Sequence, residues 1–286
     1  MRHDTALGLD ALRGRPAKFG RFLVYTMLVL VFAGPLLALL VSAFAPAQDP
    51  TSLTLIPRSL TLENFRAAIR RDVLHYLFNS FVVVGFGLLL QIAVSVSAAY
   101  ALARKRFPGL RLVFLLILST MMLPEEILAI PLSLVLADVP LVHINLIGTL
   151  AGMIVPVGAW AFSILVMTEF MRDIPVELEE AARLDGAGDL RIFWSVILPL
   201  CKPALGVIGI FGFTMIWDQY MLPLLVAQDS GHFTLPLALR TLRSDEQVGI
   251  GVLLAASLLA LLPSVVAFVA MQRQFMRGLT SGAVKG

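Results

Sequence analysis

The chain has few charged residues and almost no cysteine. Of its 286 residues only 14% are charged, whereas 58% are hydrophobic; soluble domains carry about 25% charged residues. A water-soluble protein of this length could not cover its surface with so few charges, so lipid must replace water around much of the chain. The single cysteine, Cys201, excludes an internal disulfide bond and gives no information about the redox compartment. This composition excludes a soluble domain.

The long apolar runs do not alternate between apolar and polar residues. In lipid a chain must satisfy its own backbone hydrogen bonds, so it spans as helices or as a closed barrel. Barrel strands are about 10 residues of alternating character, whereas a helix needs about 20 apolar residues. The sequence therefore predicts an all-α membrane protein with six transmembrane helices. The predicted spans are residues 22–44, 81–102, 112–136, 144–167, 205–227 and 249–271.

Two of these spans contain polar interruptions. Pro124-Glu125-Glu126 interrupts the third span, and Trp217-Asp218-Gln219 interrupts the fifth. The first span follows Arg13, Arg15, Lys18 and Arg21, which is also the outline of a signal peptide. Its apolar run is longer than the 7–15 residues of a signal-peptide core, so we expect it to remain as an uncleaved span.

The basic residues predict the orientation of the helices. Of the 22 lysines and arginines, 16 lie in the N-terminal segment, in the loops after spans two and four and in the C-terminal tail. Lysine and arginine are enriched on the cytoplasmic side, so both termini are expected in the cytoplasm. Because the basic residues lie at span ends, the net charge of +3 does not indicate nucleic-acid binding.

This topology divides the chain into five segments. Within the external segment, Thr61 is expected to cap a short helix. The segments are a cytoplasmic N-terminal stretch at 1–21, a first transmembrane helix at 22–44, an external segment at 45–79, a core of five transmembrane helices at 80–271 and a cytoplasmic tail at 272–286.

The loop at 171–203 is the least apolar part of the core. Pro175 suits the first turn of a helix, the acids at 177, 179 and 180 suit its positive end, and Gly186 suits its C-terminal cap. A second helix is expected from Asp189 to Leu198, ended by Pro199. The loop is either a solvated amphipathic linker or a pair of short helices that docks a partner.

The spacing within this loop decides between the two interpretations. Glu180-Ala181-Ala182, then Gly186, then Val196-Ile197-Leu198-Pro199 resembles the EAA loop of importer-type ABC transporter permeases. Further matches are Asp185-Gly186-Ala187, Phe193, Asn79-Ser80, the stretch at 98–104 and the tail at 278–286. The last of these is similar to the smaller, six-span permeases of the maltose type, in the carbohydrate branch of the family.

The resemblance implies a function and a set of partners. Such permeases pair, here as an expected heterodimer, around one solute path in the bacterial plasma (inner) membrane. A cytoplasmic ATPase dimer docks on the loop, and an external binding protein delivers a sugar or sugar-like solute. The implied ATPase-docking residues are Glu179, Glu180, Ala181, Ala182, Asp185, Gly186, Leu198 and Pro199. The implied tail contacts are Gly282, Lys285 and Gly286, in a flexible, strand-like segment.

The chain itself lacks the motifs of an enzyme. It has no G-x-x-x-x-G-K-[ST] loop, so ATP and Mg²⁺ are expected on the partner ATPase and no cofactor or metal on this chain. Its four histidines are scattered, and it has neither H-E-x-x-H nor G-x-S-x-G. A secondary transporter is the alternative of a different class, but it would leave the loop unexplained.

Acidic residues within predicted spans are candidates for the solute path, because a charge at membrane depth costs about 2.5–3.5 kcal/mol on insertion scales. Asp218 follows Trp217, and a carboxylate beside an aromatic ring suits a sugar. The family commonly has Asn at the position of Asp218. The predicted path residues are Asp218, Trp217, Thr214 and Glu126. Pairing of these acids with backbone groups or with the partner permease is the alternative, and the solute could be an oligosaccharide, a monosaccharide, a polyol or a polyol phosphate.

Overall fold

A computed structural model describes residues 15–46 and 59–283. Within those ranges the regular elements are all helical, which confirms the predicted fold class. The chain forms two compact units, one of residues 1–70 and 245–258, the other of residues 71–244 and 259–286.

The first unit contains helices α1 (Arg15–Ala43) and α2 (Glu63–Arg70) and the start of α14 (Ile250–Ala283). The Asn64 side chain donates hydrogen bonds to the carbonyls of Ala43 at 3.0 Å and Ala45 at 2.8 Å. It thereby satisfies backbone acceptors at the end of α1. The Glu63 amide donates to Thr61 Oγ1 at 3.1 Å, so the short helix predicted at Thr61 is present.

The second unit is built around helix α3 (Val73–Arg104), which packs against α6 (Ala151–Val157), α7 (Ala161–Arg172) and α11 (Lys202–Trp217). A Cβ at Gly87 would lie 2.9 Å from Val157 Cγ2, so this glycine allows α3 and α6 to approach closely. Gln91 Nε2 donates to Ser163 Oγ at 3.0 Å in the buried contact between α3 and α7.

Two hydrophobic clusters lie along α3. The first cluster surrounds Val96 and Ala99 and includes Met167, Met171, Ile192, Ile197 and Ile208. The second cluster surrounds Val83 and Val84 and includes Met153, Val157, Ile216, Trp217 and Val226. The remaining helices are α4 (Leu110–Thr120), α5 (Glu125–Ala137), α8 (Glu177–Leu184), α9 (Asp189–Ile192), α10 (Leu198–Leu200), α12 (Met221–Val226) and α13 (Leu235–Ser244).

Four described helices are long and apolar enough to cross a membrane: Gly20–Ala43, Val73–Arg104, Ala151–Arg172 and Ile250–Ala270. Counting two bent pairs as spans gives up to six, the number predicted. The second pair joins Asp189–Leu200 to Lys202–Trp217 at a bend of 74°, so it begins before the predicted fifth span. The predicted third span is bent by 111° between α4 and α5, so it is not one straight helix. The fifth is broken at residues 218–220, between α11 and α12.

Two predicted boundaries are wrong. The fourth span begins at Ala151 rather than at residue 144, because the chain turns at Gly148, which has φ +78° and donates its amide to Val226 O. The helix from Asp189 does not end at Pro199 but continues to Leu200. A π-helical segment, Phe193–Ile197, precedes the proline, and the Leu198 amide donates to Phe193 O. This wider turn accommodates a residue that lacks an amide hydrogen and would clash in a regular α-helix.

Candidate functional site

The loop between α7 and α11 begins with α8, whose first turn carries Glu177, Glu179 and Glu180. The helix ends at Gly186, which has φ +80°. The amides of Gly186 and Ala187 donate to Arg183 O at 3.0 Å and Ala182 O at 2.9 Å. Glycine suits this closure because the left-handed conformation is strained for residues with a side chain.

A network of charges attaches this loop to the end of α3. Arg104 Nε lies 2.9 Å from Glu179 Oε1, although the two atoms are not aligned for a hydrogen bond. Arg104 also donates to Ile174 O at 2.6 Å. The side chains of Arg104 and Glu179 are only 9% and 4% exposed, so they form a buried ion pair.

A second set of ion pairs lies at the surface of the loop. Lys105 Nζ is 2.5 Å from Asp189 Oδ2, and Arg183 is 3.4 Å from Asp189 and 3.8 Å from Glu179. The hydrogen bond from Lys105 holds the pKa of the Asp189 carboxyl below its ordinary value. Together the pairs join α8, α9 and the end of α3 into one structure.

This arrangement corrects one predicted contact. Glu179 was expected to face the ATPase, but its carboxylate is buried and paired with Arg104 inside the chain. Glu180, Ala181, Asp185, Gly186 and Pro199 are exposed, while Ala182 and Leu198 pack partly against the first cluster.

Apolar side chains extend the exposed surface of the loop. Leu184 is 90% exposed, Leu190 77% and Trp194 63%. With Glu180, Ala181, Asp185 and Gly186 they form what we call the loop face. The spacing predicted the helix but not these three exposed apolar residues. Arg104 entered the sequence analysis through the charge count and the stretch at 98–104, but not as a partner of Glu179.

The predicted tail contacts lie at the end of α14. Gly282 lies within this helix, which continues to Ala283. The strand-like conformation expected from residue 278 onward is therefore wrong for residues 278–283. Lys285 and Gly286 lie outside the described residues, and tail contact with the ATPase stays a prediction.

A cleft of about 630 Å³, counting the space at its mouth, lies where three helical breaks of the second unit meet. Glu125 follows the break between α4 and α5, Trp160 lies between α6 and α7, and Gln219 lies between α11 and α12. Gln219 Nε2 donates to Glu125 Oε2 at 3.3 Å. The rest of the lining is apolar and includes Leu128, Met215 and Leu222.

The structure does not bring the four predicted path residues together in this cleft. Trp217 is 4% exposed, stacks on Phe213 with ring centroids 5.6 Å apart and does not line this cleft, so its contact with solute also stays a prediction. Asp218, Thr214 and Glu126 are exposed but do not line the cleft. Their contact with solute stays a prediction. Sequence reasoning chose Glu126 rather than its neighbour Glu125 for the path, and it missed Gln219 and Trp160. The span interruptions were the available signal for Glu125 and Gln219.

Among the described residues, no group of three histidine, cysteine, aspartate or glutamate side chains could hold a metal ion. The functional features that the second unit presents are therefore an exposed loop face, a charge network beneath it and a cleft at membrane-span breaks.

Comparison with known proteins places these features in a family. Residues 91–277 match the family described as "Binding-protein-dependent transport system inner membrane component". The chain belongs to this permease family. The permease is 34% identical over 278 residues to the melibiose/raffinose/stachyose import permease protein MelC of Bacillus subtilis (strain 168), covering 95% of this chain and 100% of the relative.

Two further similarities bear on function and fold. The permease is 37% identical over 205 residues to the sn-glycerol-3-phosphate transport system permease protein UgpE of Yersinia enterocolitica, covering 71% of each chain. Its fold matches a chain of a bacterial ABC transporter involved in the import of the acidic polysaccharide alginate. That match has a TM-score of 0.78 and 22% identity, and covers 91% of this chain and 98% of the other. The permease is thus an inner-membrane component of an ABC importer.

Proposed function

We propose that this permease forms half of the translocation path of an ATP-driven importer for a sugar or sugar-like solute. A second permease, in a heterodimer, supplies the other half, and an external binding protein delivers the solute. A cytoplasmic ATPase dimer binds ATP and Mg²⁺, so this chain catalyses no hydrolysis of its own. The sugar assignment rests on relatives such as the melibiose/raffinose/stachyose permease.

The observation that carries the docking proposal is that the exposed loop face lies on a helix attached by ion pairs to the end of α3. Leu184 is 90% exposed on a helix whose neighbouring Glu179 is held by Arg104 at 2.9 Å. An exposed apolar patch with a charged rim is typical of a protein interface. Because its base is attached to α3, a force on the loop face is transmitted to a membrane span.

The orientation proposal is that both termini and the loop between α7 and α11 lie on the cytoplasmic side of the membrane. It is supported by the 16 of 22 basic residues on that side. It is also supported by the ion pairs of Arg104 and Lys105 with Glu179 and Asp189, which keep the end of α3 beside the loop. Single cysteines introduced at positions 60 and 105 and labelled with a membrane-impermeant reagent in intact cells test it. Labelling at 105 but not at 60 would reverse the orientation.

The docking proposal is tested by Gly186→Leu in membranes containing the complete transporter. Gly186 has φ +80° and open space around its Cα, so leucine disturbs the backbone rather than clashing with neighbours. We expect ATP hydrolysis stimulated by the solute-loaded binding protein to fall at least about tenfold, because a turn strained by a side chain at this φ no longer presents the loop face correctly.

Gly186→Asn is the matched control, because asparagine tolerates the left-handed conformation. It should retain most of the stimulated hydrolysis. Wild-type stimulation and wild-type uptake in Gly186→Leu would rule out docking through this turn.

A polyol phosphate is the second candidate solute, because the sn-glycerol-3-phosphate permease UgpE is also a relative. Uptake of labelled raffinose and of labelled sn-glycerol 3-phosphate by cells that produce the complete transporter distinguishes the two.

A further inference from the structure

The cleft collects three interruptions of the apolar helices. It is lined by residues beside the α4–α5, α6–α7 and α11–α12 breaks. A broken helix leaves backbone donors and acceptors unpaired, and in a membrane such backbone is tolerated only where it is covered by protein or borders water. Three breaks around one cavity therefore indicate a hydrated site rather than a packing defect.

The polar groups in this cleft are few and connected. Among the described residues of the lining, Glu125 is the one that carries a charge, and its hydrogen bond with Gln219 uses one of its two carboxylate oxygens. Ligand pockets commonly combine an apolar lining with a small number of placed polar groups. Trp160 is half-buried and adds an aromatic surface of the kind that packs on the C–H face of a sugar.

The charge of the cleft distinguishes between kinds of solute. The positive end of α5 could attract an anion, but Glu125 and Glu126 occupy its first turn. The Arg240 guanidinium lies over the Tyr220 ring at 5.0 Å, and neither residue lines the cleft. The described residues that line the cleft include no cation, so a phosphate or carboxylate there would meet the Glu125 carboxylate without a compensating charge from them.

We propose that this cleft is a solute-binding subsite for an uncharged polyhydroxylated solute, and that Glu125 accepts its hydroxyl hydrogen bonds and excludes anions. This inference rests on the proposed transport function and narrows it, because it disfavours polyol phosphates and acidic sugars. Gln219 is a positioning residue, since its amide fixes one carboxylate oxygen and leaves the other for solute.

The test measures the charge of the cleft without requiring the solute. Leu128 lines the cleft one turn after Glu125 on α5, so Leu128→Cys places a thiol on the same face. The native Cys201 is fully buried and gives little background. In membrane vesicles carrying the complete transporter, the rates of modification by cationic aminoethyl and anionic sulfonatoethyl methanethiosulfonate are compared.

The measured quantity is the rate with the cationic reagent divided by the rate with the anionic reagent. We expect this ratio to be about tenfold higher in Leu128→Cys than in a Leu128→Cys/Glu125→Gln variant. Leu128→Cys/Glu126→Gln is the matched control, because it removes the adjacent carboxylate that does not line the cleft. This control variant should keep the faster reaction with the cationic reagent. An unreactive thiol, an absent preference, or equal loss in both double variants would overturn the inference.

Uptake separates failure of this inference from failure of the proposed function. Raffinose uptake exceeding sn-glycerol 3-phosphate uptake would support the subsite, and the reverse order would overturn its selectivity. Absence of ATP-dependent uptake of either probe would count against the proposed function, while the modification rates would still decide whether Glu125 controls the cleft.

Discussion

The loop and the cleft use acidic residues in opposite ways. In the loop, Glu179 and Asp189 face Arg104, Lys105 and Arg183 at distances of 2.5–3.8 Å, so each carboxylate has a cation beside it. In the cleft, Glu125 has an amide partner, Gln219, at 3.3 Å. A carboxylate paired with a cation holds structure, whereas Glu125, with no cation among the described residues that line its cleft, is available to a ligand.

The largest expected effect is at the buried pair of the loop. Arg104→Met leaves Glu179 buried without its cation, and breaking such a pair costs about 3–5 kcal/mol. We expect the detergent-solubilised transporter to melt at a clearly lower temperature and to lose the ATPase. Arg104→Met/Glu179→Met should regain much of the stability, because no unpaired charge remains.

Arg172 provides the control for this change. It pairs with Glu169 at 2.7 Å, but its side chain is 38% exposed and that of Glu169 is 63% exposed. Exposed pairs contribute about 0–1 kcal/mol, so Arg172→Met should leave the melting temperature nearly unchanged. Equal melting temperatures for the Arg104 and Arg172 variants would break the distinction between buried and exposed pairs.

An intermediate effect is expected in the cleft, where charge serves transport rather than stability. Glu125→Ala removes an ionised acceptor, and a hydrogen bond to a charged group contributes about 1.5–3 kcal/mol. We expect uptake to fall at least about tenfold while the melting temperature and basal hydrolysis of the complex survive. A drop in melting temperature as large as that of Arg104→Met would make Glu125 a structural residue instead.

Asp218 sharpens this prediction, because it is acidic but exposed outside the cleft. The sequence-based hypothesis expects Asp218→Ala to slow uptake and Asp218→Asn to be milder. From its position we expect both Asp218 variants to affect uptake less than Glu125→Ala. Uptake more impaired in Asp218→Ala than in Glu125→Ala would place the path outside the cleft.

The smallest effect is expected at the surface of the loop. Lys105→Met removes one of the two cations beside Asp189, whose side chain is 56% exposed, and leaves Arg183 at 3.4 Å. Salt screens exposed charges strongly. The melting temperatures of the parent and variant transporters should therefore differ slightly at low ionic strength and converge at high salt. A difference that persists at high salt would show that Lys105 acts through packing on Tyr100, whose ring centroid lies 5.4 Å from its ammonium.

Signals from neighbouring residues in the sequence were sufficient to predict the helices, but not the contacts between helices. Pro175, the acidic first turn and Gly186 predicted α8, because capping depends on residues next to one another. Arg104 and Glu179 are far apart in sequence, and nothing local distinguishes the buried Glu179 from the exposed Glu180. The cleft was missed for the same reason, since its three walls come from three separate spans. The π-helical segment before Pro199 depends on tertiary packing, which propensity does not describe.

Helix α3 joins the loop and the cleft mechanically. It contributes Ala99 and Val96 to the first cluster, and Val84 and Val83 to the second. At 1.5 Å per residue, Val96 and Val84 are separated by about 18 Å along the axis. If α3 tilts as a rigid body about Val96, near the end that is paired with the loop, a tilt of about 10° moves Val84 by about 3 Å. That stroke is comparable to the length of a hydrogen bond, so a small rocking of the loop would be enough to repack the wall that the second cluster shares with the cleft.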